Sequence, residues 1–329
     1  MTAERRLNSA HLSGSSPEDT QSSSDSDPAR GLNRRGVLLG GLGTLGIAGA
    51  AALLSACGGD DEGSTDTKPG SDVGSQLAAM FPRDVAYLAA GVPARLIYTI
   101  IDSEGVPALE LPEMATFTVK QDGTQIGDEV VAKSRSENMP RPYLAFEFTF
   151  PAKGVYDVYA KVDGKTLNSP VIVVDPSEVK IPQVGSPLPA APTATTTNTL
   201  DVDPICTQVP ACPFHEHNLA DVVGTGKPIV LLLATPAYCQ TTACGPILET
   251  LMEEAKSLPP EVIVIHSEVY KNPTAVDDIN DATLAPLPLA YKMSFEPSLF
   301  VADAAGTLVA RGDIALDAGE MREMLTLAR

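Results

Sequence analysis

A continuous apolar run that leads into a cysteine-bearing turn is the strongest constraint in this sequence. Residues 229–234 carry no charged side chain and are followed by Pro236, which is typical of a buried strand that ends at a turn. Cys239 and Cys244 come next, and residues 247–258 place apolar side chains at helical spacing. The order of strand, turn and helix therefore predicts an α/β domain in this part of the chain.

The same segment resembles thioredoxin, in which an aromatic residue precedes a cysteine pair at the N-terminus of a helix, as Tyr238 precedes Cys239 here. Free amides and the helix dipole stabilise a thiolate at such a position. Residues 295–303 resemble the cis-proline loop and following strand of that family, which would place Pro297 against the cysteines. The resemblance implies that Cys239, Cys244 and Pro297 form a redox site for exchange with protein thiols or disulfides, without a dissociable cofactor.

The spacing of the pair departs from thioredoxin, because four residues separate Cys239 from Cys244 where thioredoxin has two. On an unbroken helix two such positions point about 140° apart, beyond disulfide reach. We therefore expect a loop between the two cysteines. Cys244 is also followed by Gly-Pro, as in the thioredoxin Cys-Gly-Pro-Cys pattern, with Ile247 at the place of the second cysteine. The nucleophile of the pair is therefore left open.

Cys206 and Cys212 are predicted to form a structural disulfide, because the four cysteines from residue 206 onward are an even number, an oxidising compartment favours their pairing, and sequence order couples neighbours. The nearby His215 and His217 offer the alternative of a copper or zinc site. The spacing is not that of a familiar metal site, so the disulfide is favoured and no metal is assigned. His266, inside an apolar strand, is interpreted as a hydrogen-bonded core or strand-end histidine.

Two carboxylates near the redox segment, Glu268 and Glu296, are candidates for assisting proton transfer. Simple solvation is the competing interpretation of both side chains.

The N-terminal region has the layout of an export signal. Arg34 and Arg35 precede an uncharged apolar run and resemble a twin-arginine signal, with Sec export as the alternative. The run ends in Leu-Ser-Ala-Cys-Gly, which resembles the lipobox of bacterial lipoproteins and implies lipidation of Cys57. A retained transmembrane anchor formed by residues 36–56 is the alternative. Either reading places the chain beyond Cys57 on the extracytoplasmic side of the cell membrane.

A β-sandwich is predicted between this leader and the cysteine-bearing region. Short β-branched and aromatic runs alternate there with turn signals such as Asp122-Gly123. Residues 155–162 alternate so that Tyr156 and every second residue after it share one face. This run resembles the penultimate strand of immunoglobulin-like domains, whose tyrosine packs at a corner of the sandwich. The domain would act as a spacer or binding module.

The predicted organisation is an all-β immunoglobulin-like sandwich followed by an α/β thioredoxin-like domain. The boundaries follow shifts in composition toward Ser, Gly, Pro and Thr. They are a disordered leader and signal peptide at 1–57, a tether at 58–76, the sandwich at 77–176, a Pro/Thr-rich linker at 177–204 and the thioredoxin-like domain at 205–329.

The charge excludes one class of function. The chain has 23 basic and 42 acidic side chains, a formal net charge of -19, so it would repel phosphate backbones and nucleic-acid binding is excluded. An envelope thiol-disulfide oxidoreductase is the leading hypothesis. The alternatives are a redox-inactive surface adaptor with structural disulfides and a copper-handling protein similar to the Sco chaperones, which are anchored thioredoxin-fold proteins with a spaced cysteine pair.

Overall fold

The computed structural model describes residues 75–83 and 85–328, all of which belong to one compact unit. The predicted signal at Arg34 and Arg35 and the predicted lipidation site at Cys57 lie outside the described residues. None of the described helices combines the length and apolar character that a membrane-spanning segment needs.

The first half of the described chain is built only of strands. Their hydrogen-bonded order is β1-β3-β7-β6-β4-β8-β9-β2, with β5 added beside β4. The strands are β1 (Gln76–Ala79), β2 (Leu88–Ala89), β3 (Pro93–Ile101), β4 (Met114–Gln121), β5 (Thr124–Gln125), β6 (Val130–Arg135), β7 (Tyr143–Thr149), β8 (Gly154–Val162) and β9 (Lys165–Val174).

These strands form two packed layers because β6 changes partner along its length. Its first residues pair with β4, and its last two pair with β7. The layers meet in an aromatic core, where the Phe117 ring of β4 lies 5.5 Å from Tyr98 of β3 and 4.5 Å from Phe146 of β7. Side chains from the inner faces of two layers packed in this way make a β-sandwich, as the sequence predicted.

Two details identify the sandwich as immunoglobulin-like. Strand β2 runs parallel to β9 at the edge of one layer, whereas the other strand pairs of the described sandwich are antiparallel. At the start of β8 the buried Tyr156 hydroxyl donates a hydrogen bond to the Ala152 carbonyl at 2.7 Å. This contact is the tyrosine corner of immunoglobulin-like domains, and it confirms the role predicted for Tyr156.

The second half contains a separate four-stranded sheet in the order β11-β10-β12-β13. Strands β10 and β11 are parallel, whereas β12 is antiparallel to β10 and β13 is antiparallel to β12. The elements are α1 (Leu219–Val222), β10 (Ile229–Leu233), α2 (Cys244–Glu254), β11 (Ile263–Ser267), α3 (Pro286–Tyr291), β12 (Ser298–Ala302), β13 (Leu308–Asp313) and α4 (Ala318–Leu325).

Alternate residues of β10 separate two apolar clusters, because successive side chains of a strand point to opposite faces. Leu231 and Leu233 belong to the core that also contains the sandwich residues. Val230 and Leu232 face the cluster formed with α2 and α4. This sheet is therefore buried on both faces, which explains why β10 is apolar at every position.

The segment at 177–204, expected to be a linker, is extended but packed. Leu188 is buried in the core that contains the sandwich residues. The backbone of Gly185 donates to the Leu308 carbonyl at 2.8 Å, and the Leu308 amide donates to the Ser186 carbonyl at 2.8 Å. The segment thus lies along the edge of β13, where its apolar side chains are removed from water, rather than spacing two independent domains.

The two halves are also joined by a buried polar network. Arg95 of β3 makes a two-pronged contact with the Glu320 carboxylate of α4, at 2.6 and 2.7 Å. The Tyr143 hydroxyl donates to Glu320 at 2.5 Å and accepts the Asp317 amide at 2.7 Å. Burial alone would raise the pKa of Glu320, but the Arg95 charge and hydrogen bonds hold that pKa below its ordinary range. Sandwich and mixed sheet are therefore parts of one structure.

Candidate functional site

Cys239 and Cys244 form a disulfide with a Cα–Cα distance of 6.0 Å. Cys239 lies in the turn that follows β10, and α2 begins at Cys244. Thr242, between them, has a φ of 58°, a left-handed conformation that closes the turn. The structure thus contains the loop that the wide spacing required, and it joins the two cysteines as sequence order suggested.

The two sulfur atoms differ in access. The Cys244 residue is 0% exposed and lies at the first position of α2. Cys239 is partly exposed, and the Thr241 hydroxyl lies 3.2 Å from its sulfur. The N-cap residue Ala243 provides no side-chain hydrogen bond to the helix, so backbone amides at the N-terminus are free to stabilise negative charge on Cys244. A reagent in solution therefore reaches Cys239 first.

A buried carboxyl group lies against the inner cysteine. Oε2 of Glu296 is 3.4 Å from the Cys244 sulfur and accepts the Thr235 amide at 2.5 Å, while Oε1 has no hydrogen-bond partner among the described residues. Burial raises the pKa of Glu296 to about 8, against the opposing effect of the Thr235 amide. The carboxyl group is therefore placed to exchange a proton with Cys244.

Pro297 follows Glu296 through a cis peptide bond, and it is buried. The next residue, Ser298, pairs with Leu233 at the end of β10, which brings this loop beside the cysteine turn. The side chain that contacts Cys244 is that of Glu296. Pro297 therefore shapes the loop that presents the carboxyl group.

Cys206 and Cys212 are free cysteines, so the predicted disulfide between them is not formed. Both are buried, and their sulfur atoms point into a cluster with one ring nitrogen each of His215 and His266. The sequence favoured a Cys206–Cys212 disulfide because the two cysteines are near neighbours along the chain. In the folded chain the imidazoles of His215 and His266 provide hydrogen-bond partners for the thiols.

The four side-chain atoms of this cluster lie within 4.8 Å of one another. The Cys212 sulfur is 3.2 Å from Nε2 of His215 and 3.3 Å from Nδ1 of His266. The two ring nitrogens are 3.3 Å apart, and the Cys206 sulfur is 3.8 Å from Nδ1 of His266. Two sulfur and two nitrogen donors thus converge on one point. We call this group, Cys206, Cys212, His215 and His266, the Cys2His2 cluster.

Backbone contacts orient the cluster. Nε2 of His266 lies 2.9 Å from the Ala234 carbonyl, which selects the tautomer protonated at Nε2 and leaves the Nδ1 lone pair facing the cysteines. The His266 amide donates to the Phe214 carbonyl at 2.9 Å, which docks the loop against the edge of β11. The Cys212 amide approaches the Cys206 sulfur at 3.4 Å. The chain fold therefore fixes the directions of the donor atoms.

The cluster favours negative charge on one sulfur. The Cys212 hydrogen bond is the main cause of a lowered pKa at Cys206, and His215 and His266 act in the same direction against burial. The same shared proton, together with burial, raises the pKa of Cys212. The hydrogen bond between the two cysteines therefore favours negative charge on Cys206 over Cys212.

The histidines differ from their sequence interpretation. His217, grouped with His215 in the metal alternative, is exposed and is not a member of the cluster. His266 is a buried strand histidine as expected, but its free nitrogen faces the cysteines. Its side chain shares a face with Leu232 of β10, so the pairing of β10 with β11 decides its position. The apolar pattern around His266 identified the strand but carried no signal for its partners.

The remaining candidate carboxylate, Glu268, is buried between the two sites. It accepts the amide and hydroxyl of Thr207 at 2.6 and 3.1 Å, and burial raises its pKa. The Thr207 hydroxyl oxygen also accepts the Ala237 amide at 3.2 Å. Residues next to the Cys2His2 cluster therefore support the turn that carries Cys239.

Comparisons with known proteins yield no family. No protein-family model matches the chain, and no curated protein matches it significantly. The crystal structure of invasin, a bacterial integrin-binding protein, is 16% identical over 31% of this chain and 19% of its own length, with a TM-score of 0.20. The Lin-41 filamin domain is 12% identical over 30% of this chain and 91% of its own, with a TM-score of 0.21.

A superoxide reductase (neelaredoxin) from Ignicoccus hospitalis is 11% identical over 32% of this chain and 85% of its own, with a TM-score of 0.20. The chain spans 19% of the length of invasin. Likenesses with TM-scores this low support no conclusion about fold or function. The immunoglobulin-like assignment therefore rests on the strand pairing and the Tyr156 contact.

Proposed function

We propose that this protein is an envelope-anchored thiol-disulfide oxidoreductase that works through Cys239 and Cys244. The observation that carries the proposal is the Cys239–Cys244 disulfide at the N-terminus of α2, with the Glu296 carboxyl 3.4 Å from the inner sulfur. An accessible sulfur for the attacking thiolate and a shielded sulfur that leaves suit disulfide exchange, and the buried carboxyl group can supply a proton to the leaving sulfur.

We further propose that the second half of the chain is thioredoxin-like. Support comes from the order β11-β10-β12-β13, with α2 connecting the parallel strands and α4 following the last strand. The loop of Glu296 and Pro297, which lies immediately before β12 and beside the cysteine turn, is a second supporting feature. This arrangement accounts for the cysteine turn, the proline loop and the helix in one topology.

The exchange begins at the exposed sulfur. A thiolate of a substrate protein dithiol attacks the Cys239 sulfur, and the bond to Cys244 breaks as Cys244 leaves with the electron pair. Glu296 donates a proton to the departing sulfur. The second substrate thiol then loses a proton and attacks the substrate sulfur of the mixed disulfide, which releases Cys239. In total the substrate dithiol loses two electrons and two protons, and the protein disulfide gains them.

The location of the activity follows the sequence expectation. Lipid at Cys57, after export directed by Arg34 and Arg35, would hold the site on the extracytoplasmic side of the cell membrane. Substrates there would be thiols or disulfides of other envelope proteins. Replacing Cys57 with Ala tests the anchor, since a variant that stays membrane-bound would favour an uncleaved transmembrane segment instead.

The redox proposal is tested by equilibrating the full-length protein with glutathione buffers and trapping free thiols for mass spectrometry. We expect a reversible transition in which Cys239 and Cys244 become reduced together. Cys244→Ser should form a mixed disulfide with glutathione at Cys239, whereas Cys239→Ser should react much more slowly because Cys244 is 0% exposed. A disulfide that resists reduction until the protein unfolds would refute the proposal and favour the redox-inactive adaptor.

A further inference from the structure

The Cys2His2 cluster is separate from the redox pair, and exchange at Cys239 does not use it. We propose that Cys206, Cys212, His215 and His266 bind one zinc ion in a closed, four-coordinate site.

The distances between the donor atoms fit a tetrahedral ion. Zinc bonds of about 2.3 Å to sulfur and about 2.0–2.1 Å to nitrogen give a tetrahedron with edges of about 3.3–3.8 Å between its ligand atoms. The two nitrogen atoms of His215 and His266 are 3.3 Å apart. Three of the four sulfur–nitrogen distances are 3.2, 3.3 and 3.8 Å. The cluster therefore already has the size of a zinc coordination shell.

Burial strengthens this assignment. The four residues are 8%, 6%, 3% and 0% exposed, so solvent has little access to their donor atoms. When both cysteines are deprotonated, four lone-pair donors face one another in the protein interior, which is costly unless a cation lies between them. Each side chain supplies one ligand atom, so the protein fills a tetrahedral shell without water. Such a closed site stabilises structure and leaves no open position for substrate.

The donor types select the metal. Two thiolate sulfurs and two imidazole nitrogens in tetrahedral array suit zinc and do not suit magnesium or calcium, which prefer oxygen ligands. The Ala234 carbonyl that accepts Nε2–H of His266 at 2.9 Å provides the outer contact that metal-bound histidines commonly make. The ion is therefore best assigned as zinc, with copper(I) as the competing ion.

The position of the site indicates what the ion holds together. His266 belongs to β11, whereas the other three ligands lie in the loop that precedes α1. The residue after Cys206 is Thr207, which contacts Ala237 and Glu268. Zinc would therefore fix the loop to the edge of the sheet. It would also hold Thr207 in place against the turn that carries Cys239.

The test is metal analysis of the full-length protein, purified under reducing conditions without chelators and then exposed to zinc. We expect about one zinc ion per chain. Replacement by cobalt(II) should give the intense visible absorption of a tetrahedral site and a thiolate-to-cobalt band near the ultraviolet. Both readouts are made on the unaltered chain, so they do not depend on the folding of any variant.

Matched variants locate the ion. His215→Ala should lose zinc, whereas His217→Ala should keep it, because His217 is exposed two positions away. The double variant Cys239→Ser, Cys244→Ser should also keep one zinc ion. This result would distinguish the Cys2His2 cluster from the group formed by Cys239, Cys244 and Glu296.

Three results would overturn the proposal. In the first, the wild-type protein binds no zinc and carries a Cys206–Cys212 disulfide. In the second, the protein binds copper(I) in preference to zinc. In the third, the double variant at positions 239 and 244 loses zinc and His215→Ala keeps it. The redox titration of Cys239 and Cys244 is a separate measurement, so either proposal can fail while the other stands.

Discussion

The buried Glu296 carboxyl makes the stability of the protein depend on pH in a way that a single substitution isolates. Its pKa is raised from 4.5 to about 8, mainly by burial. Each pKa unit corresponds to about 1.4 kcal/mol. The folded chain holds the proton more tightly than the unfolded chain, so the free energy of unfolding falls as the pH rises from about 4.5 to about 8. Glu296 accounts for about 5 kcal/mol of this fall.

Glu296→Gln removes the titration while keeping the size of the side chain and an oxygen that can accept the Thr235 amide. We expect the wild-type protein to lose about 5 kcal/mol of stability relative to this variant between pH 4.5 and pH 8. His266, Glu268 and Tyr270 interact electrostatically with Glu296 and are present in both proteins, so the difference between the two curves reports mainly on Glu296.

The assay is urea unfolding of the full-length protein at several pH values with the Cys239–Cys244 disulfide intact. Glu253→Gln, an exposed change on α2, serves as the control and should follow the wild-type curve. A constant difference in unfolding free energy between wild type and Glu296→Gln from pH 4.5 to pH 8 would refute the reasoning. In that case Glu296 would be ionised throughout and could not protonate Cys244.

Two further substitutions test the structural basis of the site by urea unfolding at neutral pH. Arg95→Met leaves the buried Glu320 carboxylate without its cation, so we expect the free energy of unfolding to fall by about 3–5 kcal/mol. A fall below about 1 kcal/mol would show that the contact between sandwich and sheet contributes little to stability. Phe117→Ala removes a ring from between the two sandwich layers and should cost about 3–5 kcal/mol. Ile172→Ala, at a position 70% exposed, should cost less than about 0.5 kcal/mol, and equal losses at both positions would contradict the sandwich core.

Local patterns predicted most of the long elements. Alternation along β8 placed Tyr156 and Val158 inside and left Val155 exposed at 59%. The apolar run at β10 and the helical spacing after Cys244 marked a strand and a helix. These features depend on residues within a few positions of one another, which is why the sequence revealed them.

Short strands were missed for the same reason. Strand β2 has two residues and β1 has four, too few to show a period of alternation. Each exists because a longer neighbour, β9 or β3, provides its hydrogen bonds. The composition of the Pro-rich segment at 177–204 likewise did not predict that this segment packs against the edge of β13.

The redox pair and the Cys2His2 cluster show where sequence information ends. Cys239 and Cys244 could be paired from the sequence because five positions separate them and a turn and helix join them. His266 lies 51 positions from His215, and only the parallel pairing of β10 with β11 and the docking of the preceding loop bring their ring nitrogens to 3.3 Å. Sequence alone determined the strand that carries His266 and the turn and helix that carry Cys239 and Cys244. The tertiary structure decided that Cys206 and Cys212 also face the imidazoles of His215 and His266, because convergence of distant side chains depends on strand register and packing.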